Sequence, residues 1–359
     1  MDTQLVKDSA GRGGGIIRKY FDHLPVSEAT PIVTLGEGGT PLAHSAALST
    51  ETGADVWLKY EGLNPTGSFK DRGMALAMSK ALEEGSKAVV CASTGNTSAS
   101  AAAYAARAGL PCAVLIPEGK VARGKLAQAS MHGARVLELD GNFDRALELV
   151  RQVADQHPVT VVNSINPYRI EGQKTGALEV VEALGEAPEL HFMPVGNAGN
   201  ITAYWKGYRH AREAGWSTGL PKMFGWQAEG AAPIVEGERV EHPSTLATAI
   251  RIGNPASWEG AIEAASSSGG AVRAVTDQEI IEAHKDLARE GLFVELASAA
   301  GVAGLKQMSR AHEIPEKATI VCVLTGHGLK DPDFAIESSS PPERIGADVD
   351  RLLAAMNLV

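Results

Sequence analysis

The sequence has few cysteines, and they form no recognisable pair. Cys91, Cys112 and Cys322 are scattered along 359 residues without a CxxC spacing, so the sequence predicts neither a redox pair nor a zinc site, and no other metal site is expected. Each cysteine lies in or beside a short apolar run. This position is typical of a small buried hydrophobic residue.

The sequence also lacks a cluster of positive charge and a long apolar run. The net charge is -10 and no lysine/arginine run occurs, which disfavours binding to nucleic acid. The most alanine-rich stretch, residues 98–116, contains Arg107, Gly109 and Pro111, so no transmembrane helix is predicted. The N-terminal residues lack the apolar core of a secretory signal. We therefore expect a cytoplasmic protein with neither nucleic-acid nor membrane partners.

Apolar strand-like runs alternate with helical patterns along the chain. With 44% hydrophobic and 21% charged residues, the composition is that of a globular protein. Repeated β-loop-α units predict an α/β fold with mostly parallel sheets. The predicted strands are 56–60, 88–92, 112–116, 135–139, 159–162, 191–195, 222–227 and 319–324, and the predicted helices include 68–84, 97–108, 125–132 and 143–156. We expect a smaller α/β domain over residues 55–150 and a larger one from residues 1–54 and 151–359.

Lys70 follows a Pro/Gly turn in the segment Asn64-Pro-Thr-Gly-Ser-Phe-Lys-Asp-Arg-Gly73, at the predicted start of a helix. A helix N-terminus raises the free energy of a cation, which favours the neutral amine. This placement suits a lysine that forms a Schiff base. The alternative is a solvated lysine beside a helix that Ser68 and Asp71 cap.

A second segment, residues 195–201, connects an apolar strand to a helix and is rich in glycine and asparagine. Its glycines let an anion approach the backbone, and the following helix offers free N–H groups. A tight turn without a ligand is the alternative interpretation. A lysine together with a phosphate cradle suggests pyridoxal phosphate as the cofactor.

Five segments, in order, resemble the threonine synthases of the fold type II, tryptophan-synthase-β-like pyridoxal-phosphate enzymes. They are Gly36-Glu-Gly-Gly-Thr-Pro-Leu42, the Lys70 segment, Ser93-Thr-Gly-Asn-Thr97, the cradle at 196–200, and Thr325-Gly-His-Gly-Leu-Lys330. The resemblance covers nearly the whole chain. It implies two three-layer α/β domains with the active site in the cleft between them, and it suggests a homodimer.

The resemblance also implies a role for each candidate site residue. Lys70 would be the catalytic residue that binds the cofactor, Asn96 would bond the cofactor's 3′-oxygen, and Thr325 would face its pyridine nitrogen. The other expected cofactor-binding residues are Gly196, Asn197, Ala198, Gly199 and Asn200. The expected substrate-binding residues are Ser93, Thr94 and Thr97 for the α-carboxylate, and Asn163, Ser164, Arg169 and Asn197 for the substrate phosphate.

The implied reaction converts O-phospho-L-homoserine and water to L-threonine and phosphate. It needs two anion sites, one for the cofactor phosphate and one for the substrate phosphate. A serine/threonine dehydratase or a cysteine-synthase-like enzyme needs only the first, and these remain alternatives. A non-catalytic protein that binds pyridoxal phosphate or another metabolite is a further alternative, although such a protein has little use for the lysine.

Overall fold

The computed structural model describes residues 14–117, 123–140, 143–339 and 341–358. The first thirteen residues, which contribute to the prediction of a cytoplasmic protein, lie outside these ranges. In chain order the strands are β1 (Leu42–His44), β2 (Asp55–Tyr60), β3 (Ala88–Ala92), β4 (Cys112–Pro117), β5 (Arg135–Leu139), β6 (Val159–Val161), β7 (Leu190–Pro194), β8 (Lys222–Ala228), β9 (Ala271–Val275) and β10 (Thr319–Leu324).

Helices lie between most of these strands, as the alternating pattern predicts. They are α1 (Gly15–Lys19), α2 (Ala46–Thr52), α3 (Lys70–Glu83), α4 (Asn96–Ala108), α5 (Arg123–Met131), α6 (Phe143–Gln156), α7 (Pro167–Gln173), α8 (Thr175–Leu184), α9 (Gly199–Glu213), α10 (Pro233–Glu236), α11 (Trp258–Ser268), α12 (Asp277–Arg289), α13 (Ala300–Arg310), α14 (Pro332–Ser338) and α15 (Val349–Ala355). No helix within the described ranges combines the length and apolar character needed to span a bilayer.

The strands form two sheets, and the α/β fold is confirmed. A six-stranded sheet has the order β1-β2-β10-β7-β8-β9, and a four-stranded sheet has the order β5-β4-β3-β6. All neighbouring strands are parallel except β1, which pairs antiparallel to β2. The central strand β10 is almost completely buried, as expected where helices cover both faces of a parallel sheet.

Two strands belong to a different sheet from the one expected from the predicted domain boundaries at residues 55 and 150. Strand β2 belongs to the six-stranded sheet, where it pairs with β10 from Asp55↔Thr319 to Tyr60↔Leu324. Strand β6 pairs with β3 and so belongs to the four-stranded sheet. The four-stranded sheet therefore spans residues 88–161. Chain order could not indicate this, because each strand pairs with a partner distant in sequence.

Two short strands were not predicted, namely β1 and β9. Three residues are too few to show an alternating pattern in β1, and β9 is only partly buried at the edge of its sheet. All three cysteines are buried and free, as expected. Strands β1 and β9 lie away from the strand ends that carry the candidate site.

Candidate active site

Polar segments lie at the carboxyl ends of strands in both sheets, and the Asn96 amide after β3 donates to Glu295, whose N–H is bonded to Gly326 after β10. The Phe69 N–H donates to the Thr325 carbonyl over 3.1 Å, which joins the turn after β2 to the end of β10. The side chain of Asn163, after β6, bonds both backbone groups of Ala92 at the end of β3. Carboxyl ends of parallel strands share one edge of a sheet, so a ligand can contact several of these segments at once.

Lys70 is the first residue of α3 and is half-buried. Burial lowers the pKa of its amine, and the positive charge of Arg169 lowers it further, whereas Glu295 raises it; the resulting pKa is about 7. About half of the Lys70 side chains therefore carry a neutral amine at neutral pH. The ring of the preceding Phe69 lies 4.2 Å from the amine nitrogen.

Ser68 does not cap α3, contrary to the alternative interpretation of this segment. The N-cap residue is Phe69, without a side-chain cap, and the buried Ser68 hydroxyl has no partner among the described residues. Asp71 instead holds the turn, because its carboxylate accepts hydrogen bonds from the Thr66 N–H, the Thr66 hydroxyl and the Ser100 hydroxyl at 2.6–2.7 Å. Burial raises the pKa of Asp71 to about 6 although these hydrogen bonds oppose the rise.

The segment 196–200 has the backbone of an anion cradle. Ala198 adopts left-handed φ/ψ angles of 62° and -4° immediately before α9, a conformation that is uncommon without glycine. The first turn of a helix leaves its N–H groups without partners in the helix. Asn200 is 7% exposed, and both polar atoms of its amide are buried without a partner among the described residues. A phosphate at this turn would supply the missing acceptor for the Asn200 amide.

Two neighbours limit the space around this cradle. A Cβ atom on Gly196 would lie 3.1 Å from the Ala249 carbonyl oxygen, so the segment packs closely there. The Asn197 carbonyl accepts from the Ser257 N–H over 3.1 Å, and the Asn197 side chain accepts from Ala256 over 3.4 Å. Gly199 lies close to Ile170 of α7, the helix that also carries Arg169.

The loop after β3 places Ser93, Thr94 and Thr97, all half-buried, around the start of α4. The Ser93 hydroxyl accepts from the Gly95 N–H over 3.2 Å. Asn96 is buried, and its Nδ2 donates to the carboxylate of Glu295. The start of α4 is therefore a group of hydroxyl and N–H donors, which is the chemistry that binds a carboxylate.

Asn163, Ser164 and Arg169 follow β6 but have different surroundings. Asn163 uses its oxygen and one N–H on Ala92, so only its second N–H is available to a ligand. Ser164 is half-buried. Arg169 is 1% exposed; its Nη1 donates to the Val162 carbonyl, and its Nε and Nη2 have no partner among the described residues.

Arg169 is a buried cation without a salt-bridge partner among the described residues. Burial lowers the pKa of its guanidinium to about 10, so it still carries a positive charge at neutral pH. A buried charge with unsatisfied donors is unfavourable unless an anion binds to it. Its planar group can donate two parallel hydrogen bonds to a phosphate.

Thr325 directly follows β10 and is buried. Its hydroxyl lies 3.0 Å from that of Ser298 and 3.4 Å from the Glu295 carboxylate. His327, two residues further along the chain, accepts from the Leu329 N–H and stacks on Tyr60.

Three buried residues of the site were not predicted: Ser68, Glu295 and Ser298. Glu295 had a sequence signal, because a carboxylate stands in the apolar run 292–297. A charged residue in such a run indicates burial with polar partners. The two serines had no comparable signal.

The residues of the site suit pyridoxal phosphate. A lysine with a lowered pKa supplies an amine, and a left-handed turn before a helix with the unpartnered amide of Asn200 supplies an anion cradle. When bound, this cofactor accepts electrons from carbon atoms of an attached amino acid.

Comparison with known proteins gives the same assignment. Residues 33–326 match the family model described as pyridoxal-phosphate dependent enzyme. A threonine synthase of Halalkalibacterium halodurans is 59% identical over 325 residues, which is 90% of this chain and 92% of that protein. A threonine synthase of Mycobacterium leprae is 56% identical over 347 residues, which is 96% of each chain.

The fold also has relatives among solved structures. Maize serine racemase superposes with a TM-score of 0.69 at 22% identity, over 89% of this chain and 92% of that one. At this identity the likeness shows the fold alone. Because the family model covers most of the sequence and the threonine synthases match it nearly end to end, the chain belongs to the pyridoxal-phosphate dependent enzyme family.

Proposed function

We propose that this chain catalyses the threonine synthase reaction, in which O-phospho-L-homoserine and water give L-threonine and phosphate. The observation that carries the proposal is Arg169, a buried guanidinium with two unpartnered nitrogens. It is a second anion-binding site besides the 196–200 cradle. A substrate with its own phosphate requires such a site. The identity of 52–59% to threonine synthases over most of the chain supports the same reaction.

Each group of residues has a distinct task in this proposal. The cradle 196–200, with Asn96 and Thr325, holds the cofactor. Ser93, Thr94 and Thr97 bind the substrate α-carboxylate at the start of α4. Arg169, Ser164, Asn197 and the free N–H of Asn163 bind the substrate phosphate.

Lys70 moves protons in the proposed reaction. A group that both accepts and donates protons works best when its pKa is close to the working pH. With a pKa of about 7, the amine of Lys70 can accept a proton from a substrate carbon and return it. The anchoring of Asp71 to Thr66 and Ser100 fixes the turn from which Lys70 extends.

The test is release of inorganic phosphate from O-phosphohomoserine by the protein loaded with pyridoxal phosphate, with threonine measured in parallel. We expect equal amounts of the two products. Formation of a keto acid from serine or threonine, without phosphate release from the phosphoester, would support the dehydratase alternative. Cofactor binding without turnover of any of these substrates would support a non-catalytic protein.

We also propose, from the family resemblance, that the protein is a cytoplasmic homodimer. Light scattering on the purified protein should give twice the mass of one chain. A mass equal to one chain at micromolar concentration would contradict the dimer.

A further inference from the structure

Glu295 is a buried carboxylate for which the proposed reaction has no role so far. It is 2% exposed, and no lysine or arginine lies within ion-pair distance of it among the residues described, although its charge raises the pKa of Lys70. Burial of a carboxylate without a cation is unfavourable unless other donors compensate. The identity of those donors therefore indicates what Glu295 does.

The side-chain donors to Glu295 both belong to the candidate site. The Asn96 Nδ2 lies 3.1 Å from Oε1 and 2.9 Å from Oε2 of Glu295. The Thr325 hydroxyl lies 3.4 Å from Oε1. Glu295 thus contacts the two residues expected at the 3′-oxygen and at the pyridine nitrogen of the cofactor.

The backbone around Glu295 holds the carboxylate in place. The Glu295 N–H donates to the Gly326 carbonyl over 2.9 Å, and the Glu295 carbonyl accepts from the Ser298 N–H over 2.9 Å. A Cβ atom on residue 326 would lie 2.3 Å from Oε1 of Glu295. Glycine at position 326 therefore leaves the space that this carboxylate occupies.

This contact determines the orientation of the Asn96 amide. An ionised carboxylate only accepts hydrogen bonds, so the amide nitrogen of Asn96, and not its oxygen, must face Glu295. The second N–H of Asn96 then remains available, and its Oδ1 is buried without a partner among the described residues. Without Glu295, no other contact among the described residues would distinguish the two amide orientations.

We propose that Glu295 is a positioning residue, which fixes the amide of Asn96 so that its free N–H can donate to the 3′-oxygen of pyridoxal phosphate. This inference rests on the proposed function, because the role of Asn96 comes from it. Glutamine at position 295 would remove the constraint, since its own amide can donate to Oδ1 of Asn96 and permit the opposite orientation. The N–H that faces the cofactor would then be replaced by an oxygen.

The test is a double-mutant cycle on the dissociation constant for pyridoxal phosphate, measured by absorbance with Glu295→Gln, Asn96→Ala and the double variant. We expect each single variant to bind about tenfold more weakly, the size of one hydrogen bond. If Glu295 acts through Asn96, the double variant should bind within about twofold of Asn96→Ala. Glu290→Gln is the matched control, because Glu290 is another carboxylate and accepts from the Ser45 hydroxyl at the start of α2, and it should bind like the parent.

Other results would overturn the inference. A double variant about a hundredfold weaker, with additive effects, would show that Glu295 acts independently of Asn96. Unchanged binding by Glu295→Gln would exclude any positioning role. Thermal unfolding of the cofactor-free variants shows whether they fold. If Glu295→Gln does not fold, Glu295→Asp takes its place in the double-mutant cycle. The effects of Glu295→Asp and Asn96→Ala on cofactor binding should then be non-additive in the same way.

The parent protein separates this inference from the proposed function. A parent that binds pyridoxal phosphate but releases no phosphate from O-phosphohomoserine would overturn the proposed function and leave the cycle interpretable. A parent that does not bind the cofactor at all would overturn both.

Discussion

The charge of Arg169 should control the pH at which Lys70 becomes reactive. We predict that Arg169→Met raises the pKa of Lys70, because it removes a positive charge that disfavours a second one nearby. The guanidinium is also buried, and two of its nitrogens have no partner among the described residues. We therefore expect Arg169 to influence Lys70 mainly through its charge.

The magnitude follows from the causes of the shift. The pKa of Lys70 falls from 10.5 to about 7, and burial is the larger of the two causes that lower it. The share of Arg169 is therefore the smaller one, and we expect its removal to raise the pKa by about one unit, which corresponds to ~1.4 kcal/mol. At pH 7 the neutral fraction would fall from about one half to about one tenth.

The assay is the rate at which cofactor-free protein reacts with pyridoxal, followed by visible absorbance across pH 5 to 10. Pyridoxal lacks the phosphate, so Arg169 cannot alter the rate by attracting that group. The rate should rise with pH as the neutral amine appears, with its midpoint near 7 in the parent and near 8 in Arg169→Met. At pH 7 the variant should react about fivefold more slowly.

Arg209→Met is the matched control. Arg209 forms an exposed ion pair with Glu263, and its loss should leave the midpoint unchanged. An unchanged or lower midpoint in Arg169→Met, in protein that unfolds at the parent temperature, would refute the electrostatic argument. A midpoint near 10 in the parent would refute the assignment of a perturbed lysine altogether.

Three further predictions concern the supports of the site. Glu179→Gln should cost about 3–5 kcal/mol in urea unfolding at pH 7, because it leaves the buried Arg72 without one partner. Burial raises the pKa of Glu179, but the charge of Arg72 outweighs it and keeps the pKa below its usual 4.5, so this stability is present above pH 4.5 and is lost as pH falls. Equal acid sensitivity of parent and variant would contradict this prediction. Gly73→Ala should cost about 1–3 kcal/mol in the same measurement, because its Cβ would lie 2.7 Å from the Arg169 carbonyl. Gly219→Ala should be near neutral, because its Cβ would contact only Oε1 of Glu186, at an ordinary van der Waals distance of 3.9 Å. Similar losses for both would count against close packing of α3 on α7. Lys70→Ala should abolish the visible absorbance of covalently bound cofactor, and an unaltered spectrum would remove Lys70 from the proposed mechanism.

Much of the local structure followed from short-range patterns. Strands β3, β5 and β10 and helix α6 have the predicted bounds, because apolar runs and helical periodicity are properties of neighbouring residues. Glycine and asparagine also marked the 196–200 turn, although the left-handed residue within it is Ala198 and Gly196 is required by close packing on Ala249. Strand pairing was harder to predict from the sequence, and β2 and β6 each lie in the other sheet from the one expected.

The sequence by itself determined the kinds of groups in the site and their position at strand ends, because each motif depends on residues adjacent in the chain. Only the tertiary structure decided which of these groups share an environment. The low pKa of Lys70 arises from burial and from Arg169, about a hundred positions away along the chain, and the orientation of the Asn96 amide arises from Glu295. Burial and charge act through space, so chain order does not reveal them.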